Sequence, residues 1–175
     1  MKNYINELAA VQYFGKSSQG YTEAEELTIR KALSILHDHM NDGTPLTSSD
    51  KAKNYCQLKI GRLNHEVFGI LFLNNQNKVV SFEEVATGTI NMAPVYPREV
   101  IKRVLANNAA AVILTHNHPS GKIAPSEADN RMTARLAKAL DLIDVKVLDH
   151  IIVGLAGTFS YADNPLSRHY LSAKS

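Results

Sequence analysis

The chain has 175 residues, 45% of them hydrophobic, and a formal net charge of +2. This suits a globular protein with one main core and room for an extension, and the charge neither demands nor excludes nucleic acid. The single cysteine, Cys56, excludes an intramolecular disulfide and a cysteine-rich zinc site, and no apolar run reaches membrane-spanning length, so a soluble, cytoplasmic protein is expected.

Residues 1–20 are weakly patterned, with a loop over 15–20. Thr22 and Glu25 have capping-box spacing. The helix they open carries Leu27, Ala32, Leu33, Leu36 and Met40 near one face and ends about residues 41–43. Residues 43–47 read as a linker. Ser48 or Ser49 can cap a second helix over 50–60, in which Cys56 reads as partly buried. A near-continuous apolar run from Glu66 to Leu73 has strand length, residues 74–77 form a polar turn, and 78–85 return as the second arm of a hairpin. Pro97 opens a helix to about Asn107. Residues 109–115 form a buried strand, 126–140 a helix, 146–153 another strand and 158–161 a short last one. From Asp163 the tail is polar and expected to fray. This order suggests an α/β fold with a mixed sheet flanked by helices.

The informative stretch is His116-Asn117-His118-Pro119-Ser120-Gly121, followed by Pro125-Ser126-Glu127-Ala128-Asp129. Two histidines two apart at a strand end share one face of the sheet, which is chelating geometry. Ser126 and Asp129 have N-cap spacing, so the helix start aims the Asp129 carboxylate. Two imidazoles and one carboxylate leave a fourth tetrahedral position open, as catalytic zinc requires, although ligand type alone also admits iron, nickel or manganese. A general base is still needed. Glu66 is attractive because a core strand would hold it, whereas Glu127 points away from Asp129 on its helix.

Other groups read more simply. Ser126 is an N-cap by default, and a catalytic hydroxyl would compete for the same oxygen. Ser120 is a turn residue. His65-Glu66 begins like a zincin motif, but Gly69 stands where the second histidine belongs. His37 and His39 face different ways on a helix and read as solvated. His150 reads as a hydrogen-bonded core residue rather than a ligand. Arg98, Lys102 and Arg103 read as a solvated basic face.

The block HNHPSGKIAPSEAD resembles the signature of the JAB1/MPN (JAMM) metallopeptidases: an upstream Glu, then H-x-H-P, six residues, and S-x-x-D. More closely it resembles the RadC branch, with Glu66-Val67-Phe68, Tyr96-Pro97-Arg98-Glu99-Val100 and Leu148-Asp149-His150-Ile151-Ile152-Val153 in matching order. The resemblance spans about residues 47–166. It implies a JAB1/MPN, cytidine deaminase-like core over 47–171, behind a helical extension over 1–46. That is a short form without the helix-hairpin-helix region of longer members. It also implies one Zn2+ on His116, His118 and Asp129, with Glu66 as general base and Ser126 steadying the oxyanion. The implied reaction is hydrolysis of a peptide or isopeptide amide by zinc-activated water. The partner is then a peptide or protein substrate, chosen by loops around residues 82–96 and by the tail; nucleic acid has weaker support. The alternative is a DNA-repair or DNA-transaction accessory of the RadC type. A metal nuclease would more often carry extra carboxylates, and the intact ligand set argues against an inactive scaffold.

Overall fold

The computed structural model describes residues 21–41, 45–46, 48–88, 95–155 and 157–172. In chain order these form α1 (Glu23–Asn41), α2 (Ser49–Ile60), β1 (Glu66–Leu73), β2 (Val79–Gly88), α3 (Pro97–Ala106), β3 (Ala111–Asn117), α4 (Glu127–Asp141), β4 (Lys146–Gly154), β5 (Gly157–Ser160) and a 3-10 turn (Arg168–Leu171). The strands make one sheet in the order β2-β1-β3-β4-β5. β3 and β4 are parallel, joined through α4, and the other pairs are antiparallel. This is the expected mixed α/β sheet flanked by helices.

The central strands β1 and β3 are buried on both faces, which is why β1 and the first half of β3 are continuously apolar rather than alternating. On one face α2 sets Ala52, Tyr55, Cys56 and Ile60 against Val67, Leu71, Ile113, Ile151 and Val153. On the other, α3 and α4 set Val100, Val104, Leu136 and Leu140 against Phe68, Ile70, Phe72, Val112 and Leu114. Each Val, Leu, Ile or Phe among them contributes about 1.5–3 kcal/mol when fully buried.

β4 carries an irregularity that periodicity cannot reveal. Val112 pairs with Val147, but Ile113 pairs with Asp149, so Leu148 is an extra residue. Before the bulge an odd-numbered residue, Val147, faces α4; after it His150 and Ile152 do, opposite Leu114 and His116. The bulge therefore turns His150 onto the face that carries His116.

Several expectations need correction. Leu27 is 69% exposed, whereas Glu26 and Leu33 are buried. The inward face of α1 is built around Glu26, whose carboxylate accepts from the Arg62 guanidinium at 2.6 Å, and a search for apolar periodicity passes over it. Cys56 is completely rather than partly buried. Ser48 holds the N-cap position of α2 without a side-chain bond, and the Ser49 hydroxyl instead donates to Asp163. The tail beyond Asp163 is tied down: Asp163 also pairs with Lys53, and Leu171 packs on the core. β3 starts and ends two residues later than expected, and β2 runs on to Gly88. The loop over 15–20, most of the 43–47 linker, the side chains of Leu36, His37, His39 and Met40, and residues 89–94 lie outside the described residues. Within residues 82–96, assigned to substrate choice, Phe82 is a buried core residue.

Candidate metal centre

Strand register brings the residues together. Phe68 on β1 is the cross-strand partner of His116 on β3. Because the strands are antiparallel, two further steps along each lead to Glu66 and His118, on the same face. β3 ends at Asn117, yet the His118 N–H still donates to the Val153 carbonyl at 2.8 Å, so the ladder holds the residue after the strand. One carboxylate oxygen of Glu66 and one ring nitrogen each of His116 and His118 lie within 4.8 Å of one another.

Asp129 arrives from α4. The Ser126 hydroxyl accepts from the Asp129 N–H, and Asp129 Oδ2 accepts from the Ser126 N–H at 2.7 Å and its hydroxyl at 2.6 Å. This capping box fixes the carboxylate and leaves Oδ1 facing His116 Nε2 at 3.3 Å, while Oδ2 lies 3.7 Å from His118 Nε2. Burial pushes the Asp129 carboxyl up, but the facing His116 ring, when it carries a proton on Nε2, and the bonds from Ser126 outweigh it and hold the group well below the usual carboxylate range. Glu127, on the same helix turn, is 91% exposed, in keeping with its expected direction away from Asp129, and pairs with Arg131.

The hydrogen bonds behind the two imidazoles assign their tautomers. His118 Nδ1 sits 2.7 Å from the Lys122 carbonyl, which can only accept, so Nδ1 carries a proton, and in the neutral ring Nε2 keeps the lone pair. For His116 the logic runs through three residues. The Thr133 hydroxyl donates to the Asp129 carbonyl at 2.6 Å, so it accepts from His150 Nδ1–H, also at 2.6 Å. His150 Nε2 is then an acceptor for His116 Nδ1–H at 2.8 Å, which in a neutral His116 ring leaves Nε2 with the lone pair. Burial, with His116 beside it, holds His150 far below the ordinary histidine range, so it stays neutral. Phe68 stacks near the His116 ring, and Tyr161 stacks on His150 with ring centres 4.9 Å apart.

Nε2 of each ring thus turns to the same point, the two nitrogens 2.9 Å apart with a carboxylate beside them, and a neutral ring offers its lone pair there. A cation placed among the three groups would be attracted by all of them. Ring nitrogens at zinc-bonding distance in a tetrahedron are about 3.3 Å apart, so small adjustments of the donors present suffice for the ion. The donor set fits a zinc site.

Of the residues picked from the sequence, Glu66 gathers with His116 and His118, Asp129 lies against both histidines, and Ser126 holds Asp129. His150 is the hydrogen-bonded core residue expected, but its bond to His116 was not foreseen, nor was the part of Thr133. Arg98 and Lys102 lie exposed on α3 and share Glu99, as a solvated face should, while Arg103 reaches across to Glu83 on β2.

The family model of the RadC-like JAB domain matches residues 46–166. The chain is 47% identical over 146 residues to the UPF0758 protein YeeS of Escherichia coli K12, covering 83% of this chain and 99% of that protein. It is 49% identical over 139 residues to a UPF0758 protein of Vibrio cholerae, covering 79% and 87% respectively. A longer relative, the UPF0758 protein of Nitrosococcus oceani, is 50% identical over 131 residues, which is 75% of this chain and 58% of that protein. With the match running across both histidines, the capped aspartate and the whole sheet, the chain belongs to the RadC-like JAB domain family.

Proposed function

We propose that the chain is a zinc-dependent amide hydrolase, a metallopeptidase or isopeptidase, with His116, His118 and Asp129 as metal ligands and Glu66 as general base. The observation that carries this reading is the pair of converging Nε2 atoms, each aimed by a hydrogen bond behind its ring, next to an anchored carboxylate. Zinc held there would polarise a scissile carbonyl and lower the pKa of a water to about 7.

The two carboxylates divide the remaining work by their surroundings. Asp129 is clamped by Ser126 and suits a ligand that must not move. Glu66 is half-buried and its side chain, among the described residues, makes no hydrogen bond or ion pair, so its carboxylate can turn between positions. That suits a group that takes a proton from the attacking water and hands it to the leaving amine. Ser126 steadies Asp129; to reach an oxyanion its hydroxyl must release Oδ2.

The test is hydrolysis of peptide and isopeptide libraries by zinc-loaded protein. Glu66→Gln should keep its zinc and lose roughly hundredfold or more in rate. Equal rates in wild type and Glu66→Gln, or wild-type activity indifferent to a chelator, would contradict the proposal.

A further inference from the structure

Between the two histidines stands Asn117, whose side chain by strand alternation points away from the metal centre. It is 1% exposed. Its Oδ1 accepts from the Val67 N–H at 2.7 Å, and its Nδ2 donates to the His65 carbonyl at 2.9 Å and the Leu63 carbonyl at 3.2 Å. The His65 carbonyl belongs to the peptide bond entering Glu66, and the Val67 N–H to the one leaving it. One buried amide therefore grips the backbone on both sides of Glu66.

The grip sits where the ladder ends. Pairing of β1 with β3 stops at Phe68–His116, so Glu66 and its neighbours have no further rung on that side. Without Asn117 an N–H and two carbonyls in the turn into β1 would lose these bonds in a buried setting. They are of mixed sense, one donor and two acceptors. Among side chains only an amide offers one acceptor and two donors in a single plane. Asparagine has the length for it here, and aspartate would oppose oxygen to both carbonyls.

We infer that Asn117 is a positioning residue for Glu66: its amide holds the two peptide groups flanking Glu66 and so sets the carboxylate opposite His118. The residue linking the two histidines thereby ties the base to the metal centre as one unit. This rests on the reading of Glu66 as base beside a bound metal.

The experiment uses the full chain loaded with Co2+, whose visible spectrum reports the metal's surroundings. It follows the pH at which that spectrum changes in wild type, Glu66→Gln, Asn117→Ala and Asn117→Asp, with Co2+ stoichiometry and melting temperature recorded for each. Asn117→Asp keeps the side-chain shape and the acceptor for Val67, and serves if the alanine variant fails to fold. The inference expects Glu66→Gln to move the midpoint, and an Asn117 variant that still binds Co2+ to move it the same way by at least half as much. A wild-type midpoint in a Co2+-bound Asn117 variant, however much its melting temperature falls, overturns the positioning role and leaves the base intact. A wild-type midpoint in Glu66→Gln, or no Co2+ bound by wild type, overturns the reading beneath it and the inference with it.

Discussion

A histidine ligand needs a fixed ring tautomer, and at His116 this depends on the 2.8 Å bond to His150. Such supporting partners typically change metal affinity about 10–100-fold when removed. His150→Phe keeps a buried ring but leaves the His116 Nδ1–H without its acceptor. Zinc affinity, measured by competition with a chromophoric chelator, should fall in that range, and an unchanged affinity would show that packing alone orients His116. His116, His118, Ser126 and Asp129 were all legible in the sequence because a two-residue step on a strand and a three-residue step at a helix start are local geometries. The part of His150 was not, because it depends on the bulge at Leu148, which no alternation pattern records.

At the scale of elements, the His118 loop lies directly on the end of β4. A Cβ placed on Gly154 would stand 2.6 Å from the Gly121 carbonyl oxygen and 2.6 Å from the Ile123 side chain. The first of these is backbone and cannot swing aside. Gly154→Ala should therefore push away residues 121–123, and with them the Lys122 carbonyl that orients His118. The expected result is a fold that melts cooperatively, at a cost of about 1–3 kcal/mol, with zinc affinity reduced as well. A variant that loses stability but binds zinc as wild type does would separate the loop from the site. The bounds of β1 were readable because a polar turn closes its apolar run. β3 was misplaced by two residues because Ala109 and Ala110 look like strand, whereas Asn108 before them adopts a positive φ of 47° and turns the chain.

Across the whole molecule, buried polar groups join parts that periodicity treats as separate. Glu26 and Arg62 fasten α1 to the turn before β1. Asp149 fastens β4 to β5 and the tail, accepting from the His150 and Ala162 N–H groups and the Ser160 hydroxyl. No helix among the described residues is long and apolar enough to cross a membrane. Burial pushes the Asp149 carboxyl above its usual range, against the pull of Ser160, Ala162 and His150. The folded state then holds this proton at pH values where the unfolded chain has released it. The contribution of Asp149 to stability is thus present in acid and is lost as pH rises through the raised value. Asp149→Asn removes the titration, so its melting temperature relative to wild type should fall as pH drops from neutral into the weakly acidic range. A constant difference would contradict the assignment. These connections were illegible in the sequence because both ends of each are polar residues far apart in the chain.

The most direct measurement is metal content by mass spectrometry on purified, zinc-supplied protein, comparing wild type with His118→Ala and Asp129→Ala. The account predicts about one zinc per chain in wild type and loss of it in both variants while each still melts cooperatively. A wild-type protein without metal, or variants that retain it in full, would contradict the assignment of the metal centre and the hydrolase built on it.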